Sequence, residues 1–244
     1  MRIAVISDTH GNLEALTSVL ADIDKCHIDQ IVNLGDNIGY GPDPEKVIQC
    51  IQERQIPGIM GNHELAILEP ALRFQFNPNA RKSLVITESM LSVKSKEFIQ
   101  KLKKSLVVHG CRFVHGFPPD SPTTYLFQVD RTTLGLTLDS SEESLCFTGH
   151  THRPEIIMAK GDEIFRKRLD RKIFKIAPAH KYIINVGSVG QPRDGDKAAK
   201  YIIWDAGAQT IEMRYVSYDI ATTTQKIITL GLPRQHAYRL WCSK

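Results

Sequence analysis

Four short apolar runs in this chain stop in the same way, and that repetition limits the folds open to it. "RIAVI" leads into Ser7-Asp8-Thr9-His10, "IDQIVNL" into Gly35-Asp36-Asn37, "IPGIM" into Gly61-Asn62-His63-Glu64, and "LCFT" into Gly149-His150-Thr151-His152. A fifth, "CRFV", leads into His115-Gly116. Continuous apolar runs bounded by Gly, Asn or Asp read as buried strands of an α/β fold, and polar groups just past such strands fall along one rim of the sheet. That rim is where sites are built.

The connections agree with this reading. "NLEALTSVLADI", Asn12 to Ile23, places Leu13, Leu16, Val19, Leu20 and Ile23 on one helical face, and "PEKVIQCIQER" does the same after the second run. The chain therefore opens strand, helix, strand, helix, strand. A helical insertion is expected over about 64–105, with one of its helices opening at Asn77-Pro78, leaning over the rim or covering the sheet. After "THRP", the segments "EIIMA", "RKIFKI", "KYIINV", "AKYIIWD" and "TIEMRYV" read as antiparallel strands with turns at Lys160-Gly161-Asp162 and Asp205-Ala206-Gly207. The tail, about 219–244, returns to helix, and Asp120 to Ser144 shows no clear period. At 244 residues the chain fits one domain, 1–244.

Gathered from the strand ends, the polar residues are Asp8, His10, Asp36, Asn62, His63, His115, His150 and His152, five of the nine histidines of the chain. A single histidine or turn aspartate has a dull explanation; a set recurring at several strand ends does not. Imidazoles, carboxylates and an amide without thiolates suit divalent Zn, Mn or Fe, and this many donors around a central carboxylate suit two ions better than one. Two divalent ions bring four positive charges; Asp8, Asp36 and a hydroxide remove three, leaving a cationic site fit for a phosphate ester.

Other classes receive less support. Apolar residues make up 42% and charged residues 24%, as in an ordinary globular chain. The opening apolar run is too short for a secretory signal and none approaches a membrane span, so a cytoplasmic location without membrane association is expected. The five cysteines form no CxxC pair and read as buried reduced thiols. A net charge of +4, with basic residues spread out apart from "RKRLDRK" (Arg166 to Lys172) and "KLKK" (Lys101 to Lys104), which read as solvated faces, permits nucleic-acid binding without indicating it.

Taken in order, "DTH" (Asp8 to His10), "GDN" (Gly35 to Asn37), "GNHE" (Gly61 to Glu64), "VHG" (Val114 to Gly116) and "GHTH" (Gly149 to His152) resemble the calcineurin-like metallophosphoesterases. Stretches such as "GYGPDPEKVI", "VHGFPP" and "INVGSVGQPRDGD" extend the likeness to the bacterial single-domain branch often labelled diadenosine-tetraphosphatase-like. The resemblance implies a four-layer αββα sandwich holding a binuclear centre: Asp8, His10 and His152 on the first metal, Asn62, His115 and His150 on the second, Asp36 bridging. It implies that His63 faces the phosphate rather than a metal and helps the leaving oxygen depart. His150 and His152 alternate along what reads as an extended segment, so their side chains should diverge toward two neighbouring ions.

Two details depart from a simple match. "VVHGCRFVHGF" offers His109 as well as His115; His115 ends the strand run and is the expected ligand, while His109 reads as a turn residue at the strand's start. Where phosphoprotein phosphatases of this superfamily carry an Asp-Arg pair, this chain has Gly39 and Tyr40. Arg193, in a Gly-rich loop, is the candidate replacement phosphate clamp, with Asn37 and Tyr40 as further pocket residues. The expected activity is a binuclear-metal-dependent hydrolysis of mono- or diesters of small soluble substrates, nucleotides among them, by a metal-bridging hydroxide. A nuclease, a phosphoprotein phosphatase and a non-catalytic interaction module are the alternatives; the oligomeric state is not legible.

Overall fold

The computed structural model describes residues 1–160 and 163–242. Its first strand, β1 (Arg2–Ile6), buries residues on both faces, as its unbroken apolar sequence requires. Ile3 and Val5 face a core between two sheets, while Ala4 and Ile6 face a helical layer. After α1 (Leu13–Ile23), capped by the Asn12 side chain, the chain forms β2 (Gln30–Asn33) and α2 (Pro44–Glu53). The expected strand "IPGIM" makes only isolated bridges, Asn33 to Gly58 and Ile59 to Lys103. Pro57 has no N–H to give a ladder, which helps explain why the pairing stays so short.

The helical insertion comprises α3 (Asn62–Leu68), a 3₁₀ turn (Pro70–Gln75), α4 (Pro78–Met90) and α5 (Val93–Lys101). It starts at Asn62 itself, two residues earlier than expected. The chain then forms the hairpin β3 (Ser105–Val108) and β4 (Cys111–Val114). The segment without a clear period contains a 3₁₀ turn (Leu126–Gln128) and α6 (Arg131–Ser140), followed by β5 (Leu145–Thr148). Next come β6 (Glu155–Lys160), β7 (Glu163–Arg168), β8 (Ile173–Lys175), β9 (Lys181–Asn185), β10 (Ala199–Asp205) and β11 (Thr210–Val216). The tail carries α7 (Ile220–Thr229) and α8 (Arg234–Cys242). The expected turn at Lys160-Gly161-Asp162 has Gly161 and Asp162 outside the described residues.

A five-stranded sheet runs β2-β1-β10-β11-β8 and a six-stranded sheet β3-β4-β5-β9-β6-β7. The pairs β1–β2, β4–β5 and β5–β9 are parallel, and the remaining pairs are antiparallel. The inner faces interlock through Ile3, Val5, Phe113, Phe147, Ile184 and Ile202. Outside the first sheet, Leu16, Val19 and Leu20 of α1 pack on Tyr201 and Ile203; outside the second, Leu134 and Leu138 of α6 pack on Cys146 and Ile183. These are the four αββα layers.

The insertion packs on the loop after β2 and on α2 through a cluster centred on Ile38, Ile48, Ala66, Leu84 and Ile99, and the tail packs through Ile227, Leu232 and Leu240. A hydrogen bond of 2.6 Å between Ser83 Oγ and His236 Nε2 ties α8 to α4. Cys111 and Cys146 are buried, but Cys26, Cys50 and Cys242 are half-buried, so full burial holds for only two of the five thiols. Among the described residues no helix is long and apolar enough to cross a membrane.

Candidate metal centre

The ends of β1, β2, β4 and β5, with the first turn of α3, converge on one rim. Asp8, His10, Asp36, Asn62, His63, His115, His150 and His152 are all buried there, none more than 8% exposed. Their donor atoms form three groups within 4.8 Å: Asp8, His10 and His152; His10, Asp36 and His63; Asp36, His115 and His150. Asp36 Oδ2 lies 3.6 Å from His10 Nε2 and 3.3 Å from His115 Nε2, so one carboxylate oxygen stands between two donor sets. Asn62 Oδ1 is 3.2 Å from His115 Nε2, on the second side.

Strained backbone aims these side chains. Asp8, His10, Asp36, Tyr40, His150 and His152 all have φ between 49° and 66°, the left-handed region that non-glycine residues seldom occupy. The expected extended segment at His150 and His152 is therefore wrong: both residues sit in a left-handed turn. The loops nevertheless deliver them to different donor groups. The strain is held by loop-to-loop bonds, among them Asp8 N to Gly35 O at 3.0 Å and His10 N to Asp36 O at 2.8 Å.

Second partners fix the rings. The Nδ1–H groups of His10, His115 and His152 donate to the carbonyls of Ile38, Leu34 and Gln191, at 2.9, 2.8 and 2.5 Å, leaving each Nε2 turned inward. His150 reverses the pattern, with Nε2–H donating to Thr123 O at 3.1 Å and Nδ1 left over. Such carbonyl-held imidazoles are what metal ligands require. His63 differs: its Nδ1 is buried without a hydrogen-bond partner, while its backbone N–H donates to Asp36 Oδ1 at 2.9 Å. This separates His63 from the four carbonyl-held histidines.

The cluster also fits cations electrostatically. His10 Nε2 and His152 Nε2 face each other at 3.1 Å, and both lone pairs point into the same space once the Nδ1 protons are committed to carbonyls. Asp8 Oδ1 is buried without a hydrogen-bond partner, although Oδ2 accepts from Ser7 Oγ at 2.6 Å and His150 N at 3.0 Å. Facing lone pairs and an orphaned carboxylate oxygen call for a positive ion. Burial raises Asp8 and Asp36, but His152 and His115 respectively lead the opposing charges and leave both carboxyls lowered. Burial lowers His115, yet the charge and hydrogen bond of Asp36, the Asp8 charge and the Leu34 carbonyl together outweigh it and hold the ring at about 9. Burial takes His63 down to about 4 and His150 to about 3, so neither is charged at neutral pH.

The remaining expected residues have distinct placements. Tyr40 packs its ring 4.5 Å from both His10 and His63, and the Arg193 guanidinium lies 5.8 Å from the Tyr40 ring centre. Asn37 has its Oδ1 accepting from Asn33 Nδ2 at 2.6 Å, within the loop after β2. His109 is exposed in the β3–β4 turn, 2.7 Å from Gln30 Oε1, well apart from the centre. Gly39, at φ 81°, admits the His63 ring: a Cβ there would stand 2.1 Å from His63 Nδ1.

Several contributors had no role assigned from sequence. Glu64 accepts from the backbone N–H groups of Asp36, Asn37 and Gly61 at 2.8, 2.7 and 3.0 Å and so ties the second loop to the third. Burial and the Asp36 charge nevertheless push its carboxyl up to about 7. Tyr125 stacks on His150 at 3.7 Å, and Phe76 meets His63 edge-on at 5.0 Å. The Glu64 position was visible as the N3 residue of a capping pattern in "GNHE"; Phe76 opens the stretch "FNPNA", whose Asn-Pro start signal gave its phenylalanine no role, and Tyr125 comes from the segment without a clear period.

A model of the calcineurin-like phosphoesterase superfamily domain matches residues 1–209. The chain is 32% identical over 249 residues to an uncharacterized protein of Methanocaldococcus jannaschii, MJ0912, with 99% of this chain and 98% of that protein covered. It is also similar to the crystal structure of a metallophosphoesterase from Sphaerobacter thermophilus, at 32% identity and a TM-score of 0.85, covering 100% of this chain and 99% of the other. The hypothetical protein PH1004 of Pyrococcus horikoshii shares the fold, at 19% identity and a TM-score of 0.81, over 100% of this chain and 98% of that one. The rim of buried donors thus occurs in a chain whose fold and sequence match one family through most of its length, and the chain belongs to the calcineurin-like phosphoesterase superfamily.

Proposed function

We propose that the protein is a phosphoesterase that uses two divalent ions, Mn, Fe or Zn, to hydrolyse mono- or diesters of small soluble phosphates, nucleotides among them. The observation that carries this reading is Asp36 Oδ2, placed between His10 Nε2 and His115 Nε2 so that one oxygen can serve two ions. Asp8, His10 and His152 would hold the first ion, and Asn62, His115 and His150 the second, with Asp36 shared. When bound, such a pair supplies positive charge for a phosphoryl group and lowers the pKa of a water.

The protein's own groups then do the rest. His63, held neutral by burial, sits 3.9 Å from Asp36 Oδ2 with no carbonyl fixing its ring, free to meet a phosphate. The negative charge of a bound ester raises the basicity of this imidazole, which lets it carry a proton to the departing oxygen. Arg193 presents a planar guanidinium beside Tyr40 for the non-bridging oxygens. A cleft of about 430 Å³ between Asn62, Gln75, Phe76, Asn77, Tyr125 and Gln128 has aromatic and amide walls without a formal charge. It suits the uncharged organic part of an ester.

The test is metal content and turnover of the purified chain. Protein loaded with Mn, Fe or Zn is expected to retain about two ions and to cleave p-nitrophenyl phosphate or its bis ester. Asp36→Asn should abolish turnover and weaken ion retention. Failure to bind ions, together with activity indifferent to Asp36→Asn, overturns the reading.

A further inference from the structure

A second cleft, of about 420 Å³, is lined by Arg153, Arg166, Arg168 and Arg193, with Glu155 and Asp194. It shares Thr151 with the loop that carries His150 and His152, so it begins where the metal centre ends. Two of the arginines are already matched. Arg166 forks onto Glu155, Nη2 to Oε1 at 2.8 Å and Nε to Oε2 at 2.5 Å, and Arg168 Nη2 lies 3.2 Å from Asp194 Oδ2. Asp194 is claimed a second time by the buried Lys200, 3.0 Å from Oδ1.

Arg153 and Arg193 have no carboxylate within ion-pair distance among the described residues. The two are linked: Arg153 Nε donates to Arg193 O at 3.1 Å, and Arg193 N donates to His152 O at 3.2 Å. Arg193 Nη2 is steered by Gln191 Oε1 at 2.9 Å, and the backbone carbonyl of the same Gln191 holds His152 Nδ1. Arg193 Nε is buried without a hydrogen-bond partner. The cleft therefore carries surplus positive charge and one orphaned donor at its junction with the metal centre. An orphaned charged donor is costly unless an anion completes it, and guanidinium forks suit phosphate oxygens.

We propose that this cleft is a subsite for a second phosphate of the substrate, attached beyond the scissile one, so that the preferred substrates are di- or polyphosphorylated rather than simple monoesters. The inference rests on the phosphoesterase reading for the scissile group, but the cleft's affinity for a phosphate chain does not need the metal centre. Arg193 joins the two places, its guanidinium 5.8 Å from the Tyr40 ring and its backbone N–H bonded to His152 O on one side, while its backbone carbonyl anchors Arg153 on the other. Phe127, 59% exposed, forms part of the cleft wall and offers an apolar face to whatever carries the second phosphate.

The deciding measurement is calorimetric titration of the full chain, stripped of metal with chelator, using inorganic tripolyphosphate, orthophosphate and the carboxylate trianion tricarballylate as probes. Tripolyphosphate is expected to bind at least tenfold tighter than either other probe. Arg153→Ala or Arg166→Ala should weaken it at least tenfold with the melting temperature retained. Glu155→Gln, which releases Arg166, should tighten it. Equal binding by the wild type and both folded arginine variants overturns the subsite, and tricarballylate binding as tight as tripolyphosphate overturns its assignment to phosphate. In a separate arm, the ratio of kcat/KM for ADP over AMP with Mn-loaded protein should fall at least tenfold in Arg153→Ala. Absence of turnover on every ester would count against the phosphoesterase reading, while the titration still decides the cleft.

Discussion

His63 is defined by what it lacks. Every other histidine of the cluster spends one ring nitrogen on a backbone carbonyl, and His63 instead has a buried, unpartnered Nδ1 packed against Gly39. His63→Ala is expected to lower kcat about a hundredfold or more while leaving ion content at the wild-type value by elemental analysis. Loss of ions instead would make it a ligand. Gly39→Ala makes a complementary test, because its methyl would meet His63 Nδ1 at 2.1 Å in a left-handed backbone. We expect at least a tenfold fall in kcat with metals retained, and a destabilisation of roughly 1–2 kcal/mol in denaturant titration. The donors themselves were legible because each follows an apolar run; the left-handed turns at His150 and His152 were not, since nothing in "GHTH" distinguishes them from an extended segment. Arg166 and Arg168 were visible only as part of the basic run "RKRLDRK", which reads as a solvated face, and Arg153 carried no signal of its own, because a cleft made by the β6–β7 hairpin exists only after folding.

At the scale of elements, α1 is clamped to the first sheet by a polar knot. Asp22 accepts from Arg214 of β11, at 3.0 Å to Oδ1 and 3.1 Å to Oδ2, and from the Tyr201 hydroxyl of β10 at 2.7 Å. Burial raises the Asp22 carboxyl, but these donors outweigh it and hold it below its ordinary 3.8. A lowered folded value means the contribution is fully present above pH 3.8 and is lost as pH falls through the folded value. Asp22→Asn should therefore cost about 1 kcal/mol at pH 7 by urea titration, the charged hydrogen bonds being partly screened by solvent, with the gap to wild type closing as the pH falls below 3.8. Persistence of the full gap in acid would show that the ion pair is not its cause. Helices with an apolar stripe, such as α1 and α2, were readable from spacing alone. By contrast, α6 was not, because its period is broken by Thr132, Thr133, Gly135 and Thr137, and tertiary packing of Leu134 and Leu138 supplies what the local pattern omits.

For the whole molecule, the centre concentrates two buried carboxylates and five buried histidines at the junction of both sheets, so its cohesion depends on what neutralises them. Chelation should lower the melting temperature by roughly 10 to 20 °C relative to protein holding two ions at a hundredfold excess over Kd, and Mn should restore it. A melting curve indifferent to chelator would mean that the cluster is satisfied without ions. An α/β domain with antiparallel strands added at the end was foreseeable from the alternation of strands and helices, while the αββα layering was legible only through the resemblance. The return of β10 to a place beside β1 was not, since pairing partners so far apart in sequence leave no local trace.

That pairing has a bearing on biosynthesis. Residues Arg2 to Val5 find their antiparallel partners at Asp205 to Ile202, so the strand presenting Asp8 and His10 has an unpaired edge until nearly the whole chain has emerged from the ribosome. Its other edge can be covered early by β2. A nascent chain of 190 residues would already contain all seven donors, yet lack the strand that locks two of them in place. Ion capture before β10 arrives would then act as a provisional staple, and chains translated where such ions are scarce would expose the β1 edge to other nascent chains for longer.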